Sequence, residues 1–174
     1  MFPEHTLETA PPASRRAMES VVKHLGHLPP AVALLAESPH LLDGFLRLSA
    51  AFETTTLDPV AREVVVMTVA TRNECHVCVA MHTGKLRALG ADEELIAALC
   101  ERRELRDERL EAVRRFVLEV LDTSGAVGDD DLRAFTAHGF TAQNALEVVM
   151  GIGTYTMSTL ANRLTGARIG SGAL

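Results

Sequence analysis

A stop followed by a fresh start recurs along this chain, and that punctuation leaves room for little except helices. "SRRAMESVVKHLG" offers Ser14 as a cap, an apolar stripe at Met18, Val21, Val22 and Leu25, and Gly26 as the stop. A shorter helix starts at Pro30 in "PPAVALLAESP" and ends before Ser38-Pro39. "SPHLLDGFLRLSAAFETT" then places Ser38 at the cap and Pro39 in the first turn, with Leu41, Leu42, Phe45, Leu48 and Phe52 spaced to face inward. The device works because a short polar side chain accepts from the free N–H groups at a helix start, Pro suits the first turn, and Gly tolerates the left-handed exit. "TLDPVAREVVVMTVATRN" repeats it with Asp58 and Pro59. Its Val-rich centre would suit a buried strand, but the length and the Asp-Pro start predict a helix running to about Arg72. Asn73 reads as the cap of a helix that carries two cysteines and stops at Gly90. Asp92 and Asp107 cap "EELIAALCERR" and "ERLEAVRRFVLEVLDTSG"; "GAVGDDD" reads as a loop, "DLRAFTAHG" as a short helix, and Thr141 caps a last long helix, "AQNALEVVMGIGTYTMSTLANRLTG".

Such helices need a core, and the composition says what it is made of. Hydrophobic residues are 47% of the chain and aromatic ones only 4%, so Leu, Val, Ala and Met must fill it, as in helix-on-helix packing. The expected fold is therefore all-α. At 174 residues with no dividing linker, it reads as one domain, 1–174, whose core needs no cross-link. A formal net charge of -6 gives no basic field for phosphate backbones, so nucleic acid is not an expected partner. Residues 1–13 carry acids and prolines rather than the basic and apolar regions of a secretory signal, and no apolar run approaches the roughly 18 residues of a membrane span. No membrane partner is expected, and the reading is a soluble, cytoplasmic protein. Three cysteines, two of them in a C-x-x-C pair, are too few for a secreted disulfide framework and suit catalysis or metal binding instead.

The chemistry concentrates in "EVVVMTVATRNECHVCVAMHTGKLRALG", residues 63–90. On a helix starting near Asn73, Cys75, Cys78 and His82 are three and four residues apart and share a face with Leu86 and Leu89. Glu63 shares a face of its own helix with Val66, Met67 and Ala70, so it also points inward, where an ionised carboxylate needs a partner. A short turn at residues 72–74 folds the two helices together and can bring Glu63 to His82. That pair would orient the imidazole as a general base for a thiol held in the first turn, where the helix dipole favours thiolate. A thiolate that attacks a peroxide becomes a sulfenic acid, and a second thiol one turn away can condense with it to a disulfide. Two other readings stand beside this one: zinc held by Cys75, Cys78 and His82 with His76 or Glu63, and a helix core in which the thiols are inert. Cys100 reads as a buried structural thiol, His76 as facing solvent, and Glu74 as a first-turn charge. "CERRELRDERLEAVRR" reads as a solvated surface; Tyr155 and Asn162 fit either the site or the core.

Arg62-Glu63, a Val-rich helix, Asn73, "CHVC" and then His82 resemble the alkyl hydroperoxidase D-like, peroxidase-related branch of the carboxymuconolactone decarboxylase family. Glu63 stands twelve residues before Cys75 and His82 four after Cys78, which is the combination that carries the resemblance. "SPHLLDGFLRLSAAFETTTLDPVARE" and "NRLTG" extend it over about residues 25–166, leaving an N-terminal extension over about 1–13 and a tail over about 167–174. The resemblance implies a helical bundle with the C-x-x-C at the start of a central helix, assembled as dimers, trimers or hexamers, without a metal or organic cofactor. It implies that Cys78 attacks a peroxide, Cys75 resolves the product, and Glu63 and His82 relay the proton. An external dithiol, a dihydrolipoyl group or a thioredoxin-like protein, would restore the thiols. The departure is Val77: some members carry a histidine there, whereas here it stands at His76, about 100° around the helix.

These residues lead to an expected thiol-dependent peroxidase acting on hydrogen peroxide or organic hydroperoxides. The alternatives are a thiol-disulfide oxidoreductase or redox adaptor, a zinc-binding helical module, and a cofactor-free enzyme using Glu63 and His82 on a carbonyl or lactone.

Overall fold

Among residues 1–170, which a computed structural model describes, nine helices follow one another: α1 (Pro12–Leu25), α2 (Pro30–Leu35), α3 (Pro39–Glu53), α4 (Pro59–Arg72), α5 (His76–Ala88), α6 (Glu93–Cys100), α7 (Glu108–Asp122), α8 (Asp129–Ala137) and α9 (Ala142–Thr165). No strand occurs among them. The last four residues of the expected tail lie outside the described residues.

The Val-rich stretch is the axis of the fold. Asp58 starts α4 by accepting the Ala61 N–H at 2.9 Å, and from Ala61 to Thr71 every residue but Arg62 is buried. A helix apolar on all sides must be covered on all sides. Here α9, α5, α7, α6 and α3 cover it. Where α9 crosses, Gly151 lets the backbones close: a Cβ there would sit 2.7 Å from the Phe52 ring and 2.9 Å from Val65 Cγ1. A second cluster, Met18, Leu35, Ala36 and Leu42, joins α1 to α2 and α3. A third small cluster, Ala31, Ala70 and Val77, encloses Cys75 and Cys78.

Three local expectations need correction. Ser14 is not a cap: α1 starts earlier at Pro12, and the buried Ser14 hydroxyl donates to the Ala36 carbonyl at 2.6 Å. Asn73 closes α4 rather than opening α5, and its side-chain amide donates to Thr159 Oγ1 at 2.9 Å on α9. Asp129, Asp130 and Asp131 are the first turn of α8 rather than loop, where their charges face the positive end of the helix.

Candidate redox site

Glu74, between Asn73 and the cysteines, has a left-handed backbone, φ 53°. That reversal makes Cys75 the N-cap of α5, so the cysteine pair straddles the helix start. The two Sγ atoms are 3.2 Å apart and nearly shut off from solvent. Hydrogen bonding with Cys78 and the N–H groups of Cys78 and Val77, with help from Asn162, outweigh burial and bring the Cys75 pKa from 9.0 down to about 6. The remaining proton then belongs to Cys78, whose pKa is pushed up by that hydrogen bond, by burial and by the Cys75 charge. From α9, Asn162 Nδ2 donates to Cys78 Sγ at 3.4 Å and lies 3.9 Å from Cys75 Sγ.

One turn further along α5, His82 Nδ1 meets Glu63 Oε2 of α4 at 2.6 Å. Glu63 is 1% exposed, a position no carboxylate holds ionised without partners. Its second oxygen takes Lys85 Nζ at 2.9 Å, and Lys85 also pairs with Glu53. Burial pushes the Glu63 pKa up, but the hydrogen bonds and charges of His82 and Lys85 outweigh it and hold the carboxyl below its ordinary value. The carboxylates likewise hold the Lys85 pKa up against burial. Tyr155 packs edge-on against the His82 ring, centroids 5.3 Å apart, and its hydroxyl is 3.4 Å from Ser49 Oγ. The imidazole is thus fixed at Nδ1 and along one face. The four residues form two pairs: among the described residues, the hydrogen bond of His82 goes to Glu63 and none joins it to either sulfur. No cluster of three or more His, Cys, Asp or Glu among those residues is arranged to hold a metal ion.

A cleft of about 590 Å³ opens beside the pair, lined by Cys75 and Asn162 on its inner side and by Glu74, Cys100, Arg102 and Arg163. Cys100 is exposed, not buried as its apolar neighbours suggested. It is the last residue of α6 and opens onto the cleft. Glu74 is outside the helix rather than in its first turn, and pairs with Arg163 at 3.3 Å and Arg102 at 3.6 Å.

Residues 39–119 match the sequence model of the Carboxymuconolactone decarboxylase family. The fold is shared with solved proteins described as peroxidase-related. An uncharacterized peroxidase-related protein from Ralstonia eutropha, described as an alkylhydroperoxidase AhpD core, superposes with a TM-score of 0.85 at 24% identity, over 99% of this chain and 93% of that one. An uncharacterized peroxidase-related protein from Silicibacter sp. gives 0.81 at 19% identity, over 99% and 91%. The debrominase Bmp8 shares the fold at 0.71 and 13% identity, over 93% of this chain and 88% of that one. No curated protein matches the chain in sequence.

Among the candidate site residues, the structure places Cys75 against Cys78 and Glu63 against His82. His76 is exposed and Val77 is buried beside the sulfurs. Asn162, left open by the sequence, lies against the thiols, and Tyr155 against His82. Lys85 joins the site beyond the residues expected from the sequence, its position three residues after His82 placing it on the same side of α5. Within the surface-like charged stretch, Glu111 is in fact buried, accepting from Leu105 N–H at 2.9 Å and from Arg114 at 2.7 Å.

Proposed function

We propose that this protein is a thiol-dependent peroxidase that reduces hydrogen peroxide or organic hydroperoxides through Cys78 and Cys75. The observation that carries the reading is the thiol pair, Sγ to Sγ 3.2 Å, with the Glu63–His82 pair one turn along the same helix. Cys78 is the attacking sulfur: it stands four residues from His82, whereas Cys75 is seven away. Its proton passes to the Cys75 thiolate, or through water to His82, as the sulfur takes the terminal peroxide oxygen and the alkoxide leaves to be protonated. Cys75 then attacks the sulfenic acid, expelling water and closing the disulfide. Two thiols and one hydroperoxide give one disulfide, one alcohol and one water. An external dithiol reverses the oxidation. The reaction suits a reducing compartment, and we place it in the cytoplasm, with the protein assembled from several copies of the chain.

The test is to add one equivalent of peroxide to reduced protein and count thiols. Loss of two thiols per peroxide, abolished in Cys78→Ser, is expected. An unchanged thiol count, or a Cys78→Ser variant that still forms a sulfenic acid at the parental rate, rejects the assignment to Cys78. The second of those results would instead favour attack by Cys75, a reading supported by its low pKa and its place on the cleft.

A second function, a thiol-disulfide oxidoreductase without peroxide turnover, is favoured by Val77 beside Cys78 and by a His76 turned to solvent. It is supported if the protein exchanges disulfides with a dithiol yet consumes peroxide no faster than a free thiol.

A further inference from the structure

The cleft beside Cys75 has a charge unlike that of the chain around it. Of its lining side chains, two are guanidinium groups, Arg102 and Arg163, and one is a carboxylate, Glu74, which both arginines share. The mouth is therefore cationic in a protein of formal net charge -6. Arg163 is anchored by the carbonyl of Asn73 at 2.6 Å and that of Glu74 at 3.1 Å. Arg102, half-exposed, has no such anchor and reaches Glu74 only at 3.6 Å. Glu74 and Arg102 face each other with left-handed backbones, φ 53° and 59°. Each is the left-handed residue that closes a helix, α4 with Cys75 N–H on the Ala70 carbonyl at 2.9 Å and α6 with Arg103 N–H on the Ala98 carbonyl at 2.8 Å, so the two helix ends meet at the cleft. Asn162 adds a separate mark: it is 5% exposed, it lines the cleft beside both sulfurs, and its Oδ1 is buried with no hydrogen-bond partner among the described residues. An unpaired buried acceptor at the floor of a cleft suits the N–H, O–H or S–H of an arriving molecule.

We propose that this cleft is the docking site for the reductant, and that it selects a small thiol bearing a carboxylate, which Arg102 and Arg163 hold while the thiol reaches Cys75. The proposal rests on the dithiol reading above and names the partner for its second half-reaction. Cys75 lines the cleft and Cys78 does not, so the reductant thiolate attacks Cys75 Sγ. The Cys75–Cys78 bond breaks, Cys78 leaves with the electron pair and takes up the proton released by the reductant. The second thiol of the reductant then attacks the reductant's own sulfur in the mixed disulfide and releases Cys75 as a thiolate. Two electrons pass from the dithiol, which leaves as its disulfide, to the protein. The last step is helped by the helix N–H groups that stabilise charge on Cys75, because a more acidic thiol is the better leaving group.

The probes are dihydrolipoate and its neutral amide, which carry the same two thiols and differ in the carboxylate. The disulfide is formed with diamide, so the measurement does not depend on peroxide turnover, and the rate of its reduction is followed in the full-length protein. Dihydrolipoate is expected to react about fivefold faster than the amide at low salt, an advantage of the size one partly exposed ion pair provides. It should shrink as salt is raised. Arg102→Gln should bring the ratio close to one and Arg102→Glu should invert it, the ratio being taken within each variant so that a change common to both probes cancels. Equal rates for both probes in the parent, or a ratio that Arg102→Glu leaves unchanged, overturns the proposal while leaving the peroxidase reading intact. A protein that reduces with the expected preference but never oxidises with peroxide upholds the docking site and removes the peroxidase. If Cys75 and Cys78 cannot be joined at all, both fall.

Discussion

Cys75 is acidic for a reason that can be located in single groups. It stands at the N-cap position of α5 beside the Cys78 thiol, whose hydrogen bond counts most, and the N–H groups of Cys78 and Val77 at the helix start also favour its charge. Alkylation of the reduced protein by iodoacetamide should therefore rise with a midpoint near pH 6 at Cys75, located by peptide mapping, and not near 9. The sign for stability follows from the same shift. A depressed thiol pKa stabilises the folded, reduced protein in full above about pH 9, and that contribution is lost as pH falls through about 6. Urea unfolding of the reduced form across that window checks it, with Cys75→Ser expected to flatten the dependence. Glu63 depends on partners from the neighbouring helix. Removing its carboxylate by Glu63→Ala leaves Lys85 and His82 facing a cavity and should cost about 3–5 kcal/mol in chemical denaturation. Glu63→Gln keeps the shape, and peroxide consumption should fall by roughly a hundredfold with the helical signal retained. Turnover at the parental rate in that variant would remove Glu63 from the proton relay.

At the level of helices, the crossing of α9 over α4 and α3 sets how deeply Asn162 and Tyr155 enter the site, and it hinges on Gly151. A methyl group there meets the Phe52 ring and Val65 inside van der Waals distance, so Gly151→Ala should destabilise by about 1–3 kcal/mol. Gly153, two residues on, has nothing within 4 Å, and Gly153→Ala should instead be neutral or stabilising by up to about 1 kcal/mol. Thermal unfolding of the two variants side by side tests the contact, since both changes have the same effect on helix propensity. The same contrast marks what was legible in the sequence. Asp58, Asp92, Asp107 and Thr141 cap the helices they precede, because a cap is a bond to an N–H two or three residues away. Ser14 and Asn73 have the same chemistry but bond to Ala36 and Thr159, far along the chain, and no local pattern carries that information. The thiol pair and the Glu63–His82 pair could be read because periodicity on two adjoining helices is nearly sufficient to bring them together. Asn162, 84 residues beyond Cys78, could not, since its place depends on how closely α9 packs.

At the scale of the whole molecule, one face has no cover among the described residues. Along α9, Leu146, Val149, Leu160 and Leu164 are exposed, from 48% at Val149 to 73% at Leu146, and their spacing puts them on one stripe over nearly the full helix. The opposite face of α9 is buried against α4, with Val148, Ile152, Tyr155 and Thr159 turned inward, so the helix is apolar on two sides. A helix of that kind belongs between two packed layers, and a long exposed stripe of leucines on a lone chain favours association. The charges elsewhere do not oppose this, because the stripe positions are uncharged and the acidic first turn of α8 lies on another element. The expected species is therefore an oligomer that buries the α9 stripe against a second copy. Light scattering on the eluting protein should give a multiple of 18.8 kDa. Placing aspartates at Leu160 and Leu164 should shift it toward the single-chain mass, because each charge would have to be buried in the shared face. Since both positions point away from Asn162 and the thiol pair, diamide should still close the Cys75–Cys78 disulfide in the dissociated form. A parent that elutes as a single chain, or a double variant that keeps the parental mass, would show that the stripe is not the face the copies share.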